Sequence, residues 1–346
     1  MNLKPLPAHT SRPGGCTLTG ALSITTQIED ATTIVHGPRG CAHHNFSLLH
    51  ATSLDNDRAA VPDLLCSGLS ESDIVFGGGD ALSRTISAAC ERDVSAVCVL
   101  STCIAGTIGD DVDEICGRGW PVPVIPIPTA GFLGGTFQDG VNNALIALAD
   151  RAGTAPPGPC VNIIGEKNLE YEVEENCGEV LRLLSLLGLP AGIRFVHGLG
   201  FGAIAELGAA RLNILRDPSL IPVGERLRQK FGTPYIPSFP GGLSDTLSFI
   251  GAVAEACKID GRIAMRTEQE LQAETLADFA DLAGSPDRFS WTVMDPDGTR
   301  AAEEAAGALH LRIGRASPSR PLPVHSVVGT RGVKRMLHRW RRVIHA

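Results

Sequence analysis

Three cysteines stand in glycine-rich turns: Cys16 in Gly14-Gly-Cys-Thr-Leu-Thr-Gly20, Cys41 in His36-Gly-Pro-Arg-Gly-Cys41, and Cys103 in Leu100-Ser-Thr-Cys-Ile-Ala-Gly106. Glycine lets a backbone approach a bulky inorganic group, and neighbouring amides can hydrogen-bond its sulfides. Three thiolates from three separate loops suit an iron–sulfur cluster better than zinc, whose structural sites usually draw ligands in close pairs. None of the ten cysteines forms a C-x-x-C pair, which disfavours zinc ribbons, thioredoxin-type motifs and the usual ferredoxin runs. The ten are also too scattered for a disulfide framework, so metal or redox chemistry leads.

Position separates these three from the rest. Cys98 sits inside the apolar run Val94 to Leu100, and Cys90, Cys116, Cys177 and Cys257 fall in or beside expected helices, where cysteine acts as a small apolar filler. Asp110 and Asp111 follow Gly109 and read as the start of a helix, where acids favour the dipole.

The elements that must hold these loops alternate along the chain. Asp73 to Phe76 reads as a strand, Gly77 to Gly79 as a turn, Asp80 as an N-cap, Ala81 to Cys90 as a helix and Val94 to Leu100 as the next strand. The rhythm returns with strands at Val161 to Gly165, Ile193 to Gly198, Leu212 to Leu215 and Tyr235 to Phe239, and helices at Glu179 to Leu187 and Val223 to Phe231. Farther on come a helix from Glu268 to Leu282, a strand near Phe289 to Met294, a helix from Arg300 to Leu309 and a short strand at Leu311 to Gly314. This is α/β with parallel sheets. A Pro/Gly-rich stretch at 152–159 and a composition shift near 258–266 divide the chain into an N-terminal α/β domain (1–152) carrying the cysteine loops, a second α/β domain (153–260) and a small C-terminal α/β region (261–346). The last helix spaces Val333, Met336, Leu337, Trp340, Val343 and Ile344 by threes and fours with arginines opposite, which reads as a docked surface helix or a basic surface for an acidic partner or a polycarboxylate ligand.

Composition bounds the function classes. Of 346 residues, 43% are hydrophobic and 20% charged, ordinary for a folded protein. Six of the 30 Lys and Arg fall in the last sixteen residues without an acid, so residues 1–330 hold 24 bases against 38 acids. That balance repels phosphate, and no nucleic-acid partner is expected. No apolar run is long enough for a membrane span or a signal core, so no membrane partner and a cytoplasmic location are expected.

The cysteine segments resemble those of the nitrogenase component 1 family, whose members include cofactor-assembly scaffolds and tetrapyrrole reductases. The resemblance runs through Gly15 to Ala21, Val35 to Cys41, Asp73 to Gly78 and Ser101 to Asp111, then Val161 to Glu166, Leu212 to Leu215 and Phe231 to Ile236, and thins to Leu311 to Gly314 and Gly329 to Gly332. It implies two or three Rossmann-like domains with a shortened C-terminal one, and it makes Cys16, Cys41 and Cys103 the ligands of an iron–sulfur cluster, 4Fe-4S or larger and P-cluster-like. Cys66, just before the Asp73 segment, becomes a candidate fourth ligand, the other source being a partner subunit. His43 and His44 become second-shell or proton-donor candidates, or plain loop polar residues. The family holds its iron–molybdenum cofactor by a cysteine soon after the Leu-Asn strand, where this chain has Asp217, a poor substitute for a thiolate on a soft iron–sulfide group. His325 lies in roughly the region of the family's cofactor histidine. The implied function is an oxidoreductase subunit whose cluster takes electrons from an ATP-dependent iron-protein reductase and reduces a bound substrate, with a tetrapyrrole as one substrate class. The implied assembly is a homo-oligomer or a pair with a paralogous component 1 subunit. The alternative is a non-catalytic scaffold for metallocluster assembly. A third reading, an NAD-type dehydrogenase, rests on Gly200-Phe-Gly202-Ala-Ile-Ala205 with Asp217 beyond it.

Overall fold

Apolar runs punctuated by glycine build parallel sheets throughout the chain, whose computed structural model describes residues 15–346 except 57–60, 134, 157, 171, 286, 293–295, 315–318 and 325–326. His325 lies outside the described residues. The chain forms two compact units, one of residues 11–171 with 192–237 and one of residues 172–191 with 238–346.

The first unit runs α1 (Thr17–Thr25), β1 (Ala31–His36), α2 (Arg39–Asp55), β2 (Leu64–Cys66), α3 (Glu71–Phe76), α4 (Gly79–Cys90), β3 (Ala96–Ser101), α5 (Cys103–Ile108), α6 (Val112–Cys116), β4 (Val124–Pro128), α7 (Phe137–Ala149) and β5 (Val161–Ile164). After α8 (Val173–Leu186), which belongs to the second unit, the first resumes with β6 (Ala191–Phe195), β7 (Leu212–Leu215), α9 (Ile221–Phe231) and β8 (Tyr235–Ile236). Its two sheets have the orders β2-β1-β3-β4 and β6-β5-β7-β8. In the first, β1 pairs in parallel with both β2 and β3, and β3 with β4. Every residue of β1 is buried, as expected of a central parallel strand covered on both faces.

The second unit adds α10 (Leu243–Ala256), α11 (Arg262–Ala277), β9 (Arg288–Trp291), α12 (Pro296–Ala308), β10 (Arg312–Ile313), β11 (Arg320–Leu322) and α13 (Gly329–Ile344). Its sheet is β10-β9-β11, all parallel. Each of the three stretches bounded at 152 and 260 contains one sheet. Helix α13 buries Val333, Met336, Leu337 and Trp340, with the Trp340 indole stacked on Trp291 and donating to the Pro323 carbonyl at 2.8 Å. Most of its basic residues pair within the unit: Lys334 with Asp278 at 2.8 Å, Arg335 with Glu172 at 3.2 Å, Arg339 also with Glu172, and Arg341 with Asp281. It is a docked helix.

Three segments differ from their sequence expectation. Residues 73–76 are not a strand but the end of α3, because Ser70 and Asp73 form a capping box: the Ser70 hydroxyl accepts the Asp73 amide, and the Asp73 carboxylate accepts the Ser70 amide at 2.8 Å. The turn around Cys16 opens α1, a helix buried on every side whose mixed small and apolar sequence shows no 3.6-residue stripe. The turn around Cys41 is the first turn of α2, entered through Gly37-Pro38.

Candidate functional site

All three loop cysteines sit where a helix begins. Cys16 is the N-cap of α1, Cys41 lies in the first turn of α2, and Cys103 is the first residue of α5, directly after β3. Helix N-termini present amides that have no partner within the helix and can donate to a group held there. Cys66 ends β2, the strand beside β1, so the four come from the same end of one sheet and the helix preceding it. Carboxyl ends of parallel strands are where open α/β sheets keep their sites.

Cys41 responds electrostatically to the other three thiols. Burial raises its pKa, and the charges that Cys16, Cys103 and Cys66 would carry raise it further, which places all three within electrostatic reach of its sulfur. Burial also pushes the Cys66 thiol up, against a partly offsetting hydrogen bond from the Gly68 amide and the charge of Arg39. The Phe132 amide donates to Cys103 Sγ at 3.2 Å. Among the described residues no three His, Cys, Asp or Glu side chains lie close enough to share one metal ion. Thiols offered from separate helix starts are the type of donor that iron–sulfur clusters take. Cys98 and Cys116, by contrast, are buried fillers whose thiols burial pushes up to about 12.

Beneath the cysteines lies a polar hub that sequence reasoning missed. His36, the last residue of β1, is fully buried, with Nε2 at 2.9 Å from Asp110 Oδ2 and Nδ1 at 3.0 Å from Ser67 Oγ. Asp110 therefore does not begin a helix; Asp111 does, accepting the Glu114 amide at 3.0 Å as N-cap of α6. The only sequence signal for the hub is that His36 and Asp110 belong to the two segments that carry Cys41 and Cys103.

The other candidates are placed apart from this centre or in different roles. His43 and His44 are exposed on α2. Asp217 follows β7 and caps a short 3-10 turn, accepting the Ser219 amide at 2.9 Å and pairing with Lys167 at 3.2 Å. Burial would raise its pKa, but Lys167, Ser219 and Arg216 more than offset this and hold the carboxyl below its ordinary value. Both oxygens are thus engaged within the chain. The dinucleotide reading fails on geometry. Residues 201–209 form a 3-10 helix rather than an α-helix, and the Phe201 amide, where a pyrophosphate would bind, is taken by Asp30 Oδ1 at 2.6 Å.

Fold and site together define a parallel α/β protein that places cysteine thiols at helix starts by the carboxyl end of one sheet. Residues 16–285 match the family described as nitrogenase component 1 type oxidoreductase, and the chain belongs to that family. It is 30% identical over 284 residues to the nitrogenase iron-molybdenum cofactor biosynthesis protein NifE of a Nostoc species, covering 80% of this chain and 57% of that protein. Against the protein of the same name from Clostridium pasteurianum it is 28% identical over 267 residues, covering 75% of this chain and 57% of that one. The chain therefore spans less than three-fifths of the length of these relatives. The solved structure of nitrogenase Cp1 at pH 5 superposes with a TM-score of 0.68 at 20% identity, covering 90% of this chain and 65% of that one, and shows the same fold.

These relatives correct one expectation. The chain was expected to be an iron–sulfur oxidoreductase, but these two curated relatives are named for cofactor biosynthesis and not for a reduction. Among the described residues no helix is long and apolar enough to cross a membrane.

Proposed function

We propose that this chain is a non-catalytic component of metallocluster assembly, which holds an iron–sulfur cluster through Cys16, Cys41 and Cys103 and does so within a complex with a second component 1-type subunit. The observation that carries this reading is the placement of Cys16, Cys41 and Cys103 at three helix starts, set beside relatives named for cofactor biosynthesis. Cys66, at the end of β2, supplies a fourth thiol on the same side of the sheet. When bound, such a cluster supplies low-potential iron and bridging sulfide that no side chain can provide. The protein's own contribution is positional: three helix starts offer thiols and amides, and the Phe132 amide donates to the Cys103 sulfur.

The partner is supported by what surrounds the cysteines. Phe76 and Val75 on α3 are 86% and 73% exposed, and Phe132, whose amide meets Cys103, is 83% exposed. Helix α3 packs on α5, the helix that Cys103 begins. Large apolar side chains grouped on the surface mark protein interfaces more often than isolated ones do.

Protein purified without oxygen is expected to be brown and to contain iron and acid-labile sulfide with little zinc. Incubated with an acceptor protein of the same family and without reductant or ATP, it is expected to lose cluster to the acceptor. A colourless preparation that takes stoichiometric zinc on anaerobic reconstitution would overturn the cluster assignment. Turnover of a reducible substrate with no transfer of cluster would overturn the assembly role.

A further inference from the structure

We infer that His36 and Asp110 are positioning residues for the cysteine centre, tying together the chain segments that carry Cys41, Cys66 and Cys103. The inference rests on the cluster reading of these cysteines. Four bonds make the tie: Gly37 N–H to Ser67 Oγ at 3.0 Å, Ser67 Oγ to His36 Nδ1 at 3.0 Å, His36 Nε2 to Asp110 Oδ2 at 2.9 Å, and Gly78 N–H to Asp110 Oδ1 at 2.8 Å. One neutral tautomer satisfies every group. With the proton on Nε2, His36 donates to Asp110, Nδ1 accepts the Ser67 hydroxyl proton, and the Ser67 oxygen accepts the Gly37 amide.

Apart from Gly78, which opens α4, each partner belongs to a segment that carries one of the cysteines. His36 and Gly37 lead into α2 and Cys41, and Ser67 directly follows Cys66. Asp110 follows the left-handed Gly109 that ends α5, six residues after Cys103 begins that helix. Gly109 has φ +78°, and this turn brings the chain back beneath the end of β1. The imidazole is fully buried and the carboxylate 5% exposed, so neither group has water to replace a lost partner. Three loops that a sheet would leave free to shift are thereby fixed relative to one another before any cluster arrives. A site held within about half an ångström depends on such supporting bonds.

The test compares wild type, Asp110→Ala, Asp110→Asn and Ser67→Ala after anaerobic reconstitution with ferrous iron and sulfide. It reads iron per chain, the EPR line shape of the reduced protein and the rate of iron loss to a ferrous chelator, with circular dichroism and melting of each apoprotein as the folding control. Asp110→Ala is expected to lose iron about tenfold faster than wild type and to show an altered line shape. Asp110→Asn keeps an acceptor for Gly78 and can donate to His36 in the other tautomer, so it is expected to restore most of the wild-type behaviour. Ser67→Ala is expected to alter the line shape while melting within a few degrees of wild type, and it decides the matter should Asp110→Ala fail to fold. Wild type that loads a cluster, beside folded variants with unchanged line shape and iron loss, would overturn the positioning role alone. Wild type that takes up no iron–sulfide would overturn the proposed function and this inference with it.

Discussion

Removing the thiol of Cys41 takes away a sulfur offered in the first turn of α2, so Cys41→Ala is expected to abolish cluster binding. Cys16→Ala and Cys103→Ala should each lower iron content sharply. Cys98→Ala should retain the cluster and cost about 1–2 kcal/mol through lost packing, because Cys98 is wholly buried inside β3. Iron analysis beside a denaturant melt separates the two classes, and a dispensable Cys41 with an essential Cys98 would refute the assignment. Cys66→Ala distinguishes a fourth thiol of this chain from one supplied by the partner. His36 adds a pH signature. Burial lowers its pKa from the ordinary 6.5, against opposing contributions from Asp110 and Asp73. The unfolded chain therefore takes up a proton near pH 6.5 that the folded chain refuses. Stability from this group is complete above that pH and is lost as the pH falls from there toward the folded value. The apoprotein is expected to melt at lower temperature at pH 5 than at pH 7, and His36→Gln should flatten that difference; an unchanged slope would show that His36 is not responsible.

Helices α1 and α7 meet at backbone contact, and this crossing sets where Cys16 can be. A Cβ on Gly20 would lie 1.9 Å from the Phe137 carbonyl oxygen, and one on Gly140 would lie 1.9 Å from that of Thr17. Neither neighbour is a side chain that can swing aside, so Gly20→Ala and Gly140→Ala are each expected to destabilise the protein by about 3 kcal/mol or more. Gly153→Ala, where nothing lies within 4 Å, serves as the control. Equal melting temperatures for all three would contradict the helix crossing. The same elements show what a sequence discloses and what it hides. Strands β3, β5 and β7 are apolar runs stopped by polar or glycine residues, and α13 shows its stripe openly, so these are legible. Helix α1 hides because a segment buried on every side needs no amphipathic period. Helix α3 hides because Asp-Ile-Val-Phe looks like a strand until the Ser70–Asp73 box is counted. The cysteine set is legible because glycine marks it, whereas the bond from His36 to Asp110 joins residues 74 apart, and only the sheet brings them together.

The whole chain spans less than three-fifths of the curated relatives it matches, and its cysteine centre bears exposed apolar side chains on its own elements. Isolated exposed apolar residues are ordinary, but Ile74, Val75 and Phe76 stand in one short helix, and Phe132 follows the strand next to Cys103's own. On the proposed function this surface meets a second component 1-type subunit, either another copy or a paralogue. Sedimentation of the anaerobic holoprotein is expected to give at least a dimer. Phe76→Ser with Phe132→Ser should shift it toward monomer while leaving the fold intact, since changes at such exposed positions usually alter stability by no more than about 0.5 kcal/mol. Iron should become easier to remove in the same variant, because the partner no longer covers Cys16, itself an exposed cysteine. A wild-type protein that sediments as a strict monomer with a fully occupied cluster would show that the centre is complete within one chain, and that these phenylalanines serve some other contact.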